Sequence, residues 1–114
     1  MKLTGRCKEE FKKWLNINYK DFGVVPYSID VYWSVCDLLY KLPQSMQYGV
    51  YVDFFDSVGI YISLDWYKSI IKDSEYFETD INNHIDSKRF KTRPEARKSA
   101  IEKANELHNE FLNK

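Results

Sequence analysis

Cysteine, glycine and proline are scarce in this chain of 114 residues, which has two, four and three of them. So few cysteines exclude a small secreted scaffold held by disulfides, and so few glycines leave little material for a phosphate-binding loop. No stretch approaches the roughly 20 apolar residues of a transmembrane helix. The composition therefore predicts one globular domain over residues 1–114 that is not inserted in a membrane.

An excess of charge of either sign is also lacking, because 17 Lys and Arg residues balance 17 Asp and Glu residues. With no net charge, any argument for an anionic partner must rest on a local cluster. The first 15 residues, MKLTGRCKEEFKKWL, contain no continuous apolar segment and no small-residue cleavage site of a secretory signal. We therefore expect a cytoplasmic protein in which Cys7 and Cys36 are reduced and buried, with a disulfide between them as the less favoured alternative.

Aromatic residues, by contrast, are abundant: nine Tyr, seven Phe and three Trp make up 17% of the chain. A small core does not require so many, so some must lie at the surface. Tyr and Trp are favoured at interfaces because they bury a large area with few rotatable bonds. We predict a protein-binding or self-association surface that includes Trp33, Tyr48, Tyr51, Tyr61, Tyr67 and Tyr76. The alternative is that these side chains line the edge of the core with their polar atoms in water.

Helical spacing of apolar residues dominates the first half of the chain. It predicts an amphipathic helix over residues 3–18 and a second helix that starts after Ser28 and ends before Pro43. A third helix is predicted from Pro43 to a C-terminal Gly59. Residues 48–58 also suit a strand, because several of them are β-branched or aromatic.

The apolar period changes to two after the third helix. Ile60 to Trp66 alternate as a half-buried strand, with Ile60, Ile62, Leu64 and Trp66 on one side. Residues 76–81 alternate again, and Asn82-Asn83 suits a tight turn into a returning strand over residues 84–91. The sequence thus predicts an antiparallel three-stranded meander.

A last helix is signalled by Thr92-Arg93-Pro94-Glu95, a capping box with Pro in the first turn. An apolar stripe follows from Ala96 to Phe111, and its alanines suit close packing on a sheet. We therefore predict an α+β fold with N-terminal helices, a three-stranded antiparallel meander, and a long C-terminal helix packed on the sheet.

No grouping of residues indicates catalysis. His84 and His108 lack the spacing of zinc sites and are predicted to face solvent. Asp53 and Asp56 share one helix face, but two carboxylates seldom suffice to hold a cation, and the wet side of the helix is the better interpretation. We predict that the protein is not an enzyme and uses no metal and no cofactor.

Basic residues cluster where the last strand meets the last helix: Lys88, Arg89, Lys91, Arg93, Arg97 and Lys98. Cations at a helix N-terminus oppose the helix dipole, whereas the same place attracts phosphates. The order of helix, three strands and basic helix is similar to that of the double-stranded RNA-binding domain, although this chain has additional helices before the strands and no net charge. RNA or nucleotide binding is therefore an alternative function, beside a simple solvated face.

Two stretches resemble short uncharacterised proteins of phages and prophages of gut bacteria: SMQYGVYVDFFDSVGIYI at 45–62 and KTRPEARKSAIEKANELHNEFLNK at 91–114. The resemblance implies a phage-type accessory protein of the bacterial cytoplasm that binds a host protein or a nucleotide, and it transfers no functional residue. The leading hypothesis is a non-enzymatic accessory protein that binds a protein partner or self-associates through its aromatic surface.

Overall fold

The computed structural model describes residues 2–19, 26–28, 31–32, 35–71, 74–86 and 88–114. Its helices are α1 (Gly5–Asn18), α2 (Val35–Lys41), α3 (Gln44–Ser57) and α4 (Arg93–Leu112). Its strands are β1 (Pro26–Ser28), β2 (Val31–Tyr32), β3 (Ile62–Ser69), β4 (Ser74–Ile81) and β5 (His84–Ile85). β1 pairs with β2, and β3, β4 and β5 form a separate antiparallel sheet in that order, with α4 packed against it. The predicted α+β fold is confirmed.

The core lies where α1, α3 and α4 meet over the sheet. The Phe11 ring of α1 lies 5.0 Å from the Tyr51 ring and 5.2 Å from the Phe54 ring of α3, measured between centroids. α4 contributes small side chains, since Ala96, Ala100 and Ala104 are completely buried. These alanines let the α4 backbone approach its neighbours closely, as the sequence predicted.

Two asparagines of α4 hold the N-terminus of α1. Asn109 Oδ1 accepts a hydrogen bond from the Cys7 backbone N–H at 2.8 Å, and its Nδ2 donates to the Thr4 carbonyl at 2.9 Å. Asn105 Oδ1 accepts from the Thr4 backbone N–H at 3.0 Å. Thr4 occupies the N-cap position, but its side chain makes no capping hydrogen bond and instead accepts one from Asn105. Side chains of another helix therefore supply the acceptor that an N-cap residue usually supplies.

Of the three helices predicted before the sheet, the second is shorter than predicted and the third is found as a helix. The second begins at Val35, because β1 and β2 form a small antiparallel pair where its first turns were predicted. The third is a helix, so the strand alternative for residues 48–58 is wrong. Gly59, with φ of +81°, follows it in the left-handed conformation that glycine adopts most readily.

The returning strand of the meander is shorter than predicted. Asn82 and Asn83 form its tight turn with φ of +52° and +67°, as expected of asparagine. The returning strand stops at Ile85 instead of continuing to residue 91, and Phe90 then makes a single antiparallel bridge to Phe77. The sheet consequently has three strands only near the Asn82-Asn83 turn.

Cys7 is completely buried and its thiol is free. Burial raises the pKa of this thiol to about 12, so it is protonated and unreactive at neutral pH. The side chain of Cys36 lies outside the described residues.

Candidate functional site

Starting at the Phe77–Phe90 bridge, β3 and β4 extend outward as a hairpin that we call the arm (residues 66–71 and 74–77). Its exposed apolar side chains include Trp66, 51% exposed, and Ile70 and Ile71, 94% and 95% exposed. The alternation of apolar residues predicted that Trp66 lies on the buried side of β3. That prediction is wrong because α4 begins at Arg93, level with Phe77, and no helix in the described residues continues over the arm. Several large apolar side chains exposed on one hairpin are typical of an interaction site.

The outer edge of β3 presents backbone hydrogen-bonding groups. The Asn82 N–H donates to the Tyr61 carbonyl at 2.9 Å, so the odd-numbered residues of β3 direct their N–H and C=O groups toward β4. The even-numbered residues Ile62, Leu64, Trp66 and Lys68 direct theirs outward. Within the described residues no strand pairs with this edge. The ladder with β4 runs without a bulge from Ile62 to Ser69, and no proline interrupts it.

The face of the sheet opposite α4 carries three of the predicted aromatic residues. The rings of Tyr67 and Tyr76 stack at 5.3 Å, and strand alternation places Tyr61 on the same face. The guanidinium of Arg89 lies 4.4 Å from the centre of the Tyr76 ring. The negative charge of Asp65 raises the pKa of Tyr67, so its hydroxyl remains protonated and can donate a hydrogen bond.

The other predicted aromatic residues are not part of this surface. Tyr51 is completely buried, because its face of α3 packs against Phe11, and its assignment to the surface is wrong. Tyr48 is half-buried on α3, with the Arg97 guanidinium 5.6 Å from its ring centre. Trp33 lies outside the described residues.

The basic cluster is divided by the start of α4. Four of its members, together with two glutamates, line one cleft of about 480 Å³: Lys88, Arg89, Lys91, Lys98, Glu95 and Glu102. Arg93 and Arg97 instead lie over the rings of Phe77 and Tyr48, at 5.3 and 5.6 Å from their centres. Arg89 also pairs with Glu78 at 3.7 Å. The cleft is therefore only moderately positive.

A second cleft, also of about 480 Å³, lies between α4 and the β4–β5 hairpin. Lys103 donates to Asp86 on its wall, and this hydrogen bond lowers the pKa of the Asp86 carboxyl. Glu106 and Glu110 also line it, so its carboxylates outnumber its lysine. The Thr79 Oγ1 at this cleft is buried and has no hydrogen-bond partner among the described residues.

The histidines have different environments. His84 is exposed, as predicted, but His108 is only 5% exposed and its prediction is wrong. The His108 ring packs edge-on against Phe54 at 5.9 Å, and burial lowers its pKa while the Glu10 carboxylate acts in the opposite direction. Its Nε2 has no hydrogen-bond partner among the described residues. Its position four residues after the buried Ala104 was a signal for burial.

Asp53 and Asp56 are both exposed on α3. In the part of the chain that the structure describes, no three His, Cys, Asp or Glu side chains are grouped so that they could hold a metal ion. No helix there is both long enough and apolar enough to cross a membrane.

Comparison of the chain with protein-family models, with curated proteins and with solved structures finds no match.

Proposed function

We propose that this chain is a non-enzymatic binding protein that engages a protein partner through the arm and the outer edge of β3. The observation that supports this most is the coincidence of exposed Trp66, Ile70 and Ile71 with outward-directed backbone groups on one hairpin. In keeping with the phage resemblance, we place its action in the bacterial cytoplasm as an accessory protein.

The chemistry of this surface favours a polypeptide over a small molecule. An extended partner segment would satisfy the outward N–H and C=O groups of β3 by strand addition, and its side chains would cover the apolar residues beside them. Each large side chain that becomes buried contributes about 1.5–3 kcal/mol before the entropic cost of association. Three such residues would contribute about 4.5–9 kcal/mol, which overlaps the cost of association, so the backbone hydrogen bonds of the added strand are needed as well.

Site-specific photocross-linking tests this proposal. A photoreactive benzoylphenylalanine at position 66 should cross-link to a protein, either a second copy or another chain present in a bacterial lysate. The same group at Phe111, which is 70% exposed on α4, serves as the matched control. The proposal would be contradicted if positions 66 and 111 gave the same cross-linked products, or if position 66 gave none.

RNA or nucleotide binding is the second candidate, because four cationic side chains line one cleft at the start of α4. Phosphate contacts there predict retention on RNA that falls steeply with salt. Lys91→Glu should abolish this retention. Arg97→Glu makes the same charge change outside the cleft and should leave the retention intact. Equal losses for both variants, or retention independent of salt, would refute this candidate.

A further inference from the structure

The apolar pattern of β3 and its following turn is nearly symmetrical about Trp66. Ile62 and Ile70 lie four residues before and after it, and Tyr61 and Ile71 lie five residues before and after. All of these except Ile62, which is half-buried, are exposed. In an interface between two identical surfaces, a residue i of one copy contacts a residue j of the other and j contacts i, so a pattern symmetrical about Trp66 brings apolar residues opposite apolar residues.

We infer that the partner of the β3 edge is a second copy of this chain, paired antiparallel about a two-fold axis at Trp66. This inference rests on the proposed binding function of the arm and names its partner. Trp66 of each copy would exchange both backbone hydrogen bonds with the other, since its N–H and C=O are directed outward. Two three-stranded sheets would then join into one six-stranded sheet with both α4 helices on the same face.

In this register the side chains are compatible across the axis. Leu64 lies opposite Lys68 of the second copy, where it packs against the aliphatic part of the lysine. Asp65 lies opposite Tyr67 of the second copy, whose hydroxyl is protonated. The exposed Ile70 and Ile71 of each copy come beside Ile62 and Tyr61 of the other.

Neighbouring registers are less favourable. A shift by one residue would bring residues whose side chains lie on the α4 face of one sheet opposite residues whose side chains lie on the other face of the second sheet. A shift by two in one direction brings Asp65 opposite Asp65 of the second copy, and facing like charges destabilise a strand pair. The opposite shift places Trp66 opposite Lys68 and separates Ile62 from Ile70 of the second copy.

The surface is also large enough. Exposed parts of the aromatic and isoleucine side chains along β3 and its turn amount to roughly 600 Å² per copy, close to the approximately 800 Å² that each partner contributes to a standard interface. Backbone groups of the joined strands add to this area.

Two cysteine substitutions report on the register while leaving Trp66 in place. In the proposed dimer Leu64 and Lys68 of opposite copies form a hydrogen-bonded pair with Cα atoms about 5.5 Å apart, within the range of a disulfide. The Leu64→Cys and Lys68→Cys double variant should therefore form a covalent dimer under mild oxidation. Each single variant should remain monomeric on a denaturing gel, because identical residues of the two copies are offset by four positions, about 13 Å.

Sedimentation of the unmodified chain supplies the second measurement. A mass that rises with concentration toward twice 13.7 kDa, together with cross-linking of the double variant only, would support the inference. A dimer in which the double variant does not cross-link would overturn the β3 pairing. If the chain stays monomeric but still cross-links to another protein at position 66, the dimer is overturned and the proposed function stands. If the chain stays monomeric and gives no cross-link at position 66, both the dimer and the proposed function are overturned.

Discussion

Replacing His108 with phenylalanine is expected to stabilise the fold by about 1–2 kcal/mol at neutral pH. A buried polar atom without a hydrogen-bond partner costs about 1–3 kcal/mol, and His108 Nε2 is such an atom. Phenylalanine retains the edge-on contact with Phe54, although its slightly larger ring offsets part of the gain through tighter packing. The melting temperature should rise by about 4–8 °C for each kcal/mol.

The same variant should change how stability depends on pH. Burial lowers the pKa of His108 below its ordinary value of 6.5, so the unfolded chain takes up this proton more readily than the folded one. The wild-type free energy of unfolding should therefore decrease as the pH falls from about 6.5 toward the lowered pKa. Loss of the charge on Asp86, whose pKa is lowered from 3.8, destabilises the fold only at more acidic pH.

Thermal and urea unfolding at pH 7.5 and pH 5 measure both effects. The gap in stability between His108→Phe and wild type should widen at pH 5. His84→Phe, at an exposed position, is the control and should follow the wild type. The reasoning is refuted if His108→Phe is folded but less stable than wild type by more than about 1 kcal/mol, or if the gap is the same at both pH values.

Further predictions concern the N-terminus of α1 and the β3 edge. Gly5→Ala should destabilise the fold by about 2 kcal/mol in urea titrations, because Gly5 has φ of +63° and an added Cβ would lie 2.9 Å from Asn109 Oδ1. Asn109→Ala should cost about 1–2 kcal/mol in the same assay through its lost hydrogen bonds to α1, whereas Asn113→Ala at the end of α4 should cost less. Lys68→Pro should abolish the proposed dimer, because the Lys68 N–H is directed outward, while circular dichroism should show that the monomer stays folded. Tyr67→Pro is the control: it removes an N–H that is directed at β4 and should unfold the hairpin.

The elements that the sequence predicted well are those determined by local chemistry. The N-cap of α4 is one of them, since the Thr92 side chain accepts a hydrogen bond from the Glu95 backbone N–H. The Asn82-Asn83 turn is another, because asparagine tolerates the positive φ that this turn requires. Such signals act within four residues and do not depend on the rest of the fold.

The errors arise where packing partners decide the outcome. Alternation correctly assigned Trp66 to the same side of β3 as Ile62, but only the extent of α4 determines whether that side is covered. His108 was expected at the surface because of its residue type, although its helical position directs it into the core. Tyr51 shows the same conflict, since it was assigned to the surface as a residue type favoured at interfaces, and its place on α3 produced complete burial. Composition therefore predicted that some aromatic side chains are exposed, but not which ones.

Separation of the core from the arm has a functional consequence. The residues that stabilise the fold lie on the helices and on the part of the sheet beneath α4, whereas Trp66 lies level with the start of α4 and Ile70 and Ile71 lie beyond it. Substitutions in the arm should therefore alter association with little loss of stability, because distant sites without shared contacts have nearly additive effects. An exposed apolar edge that contributes little to folding is a liability for aggregation, and the partner that we propose would cover it.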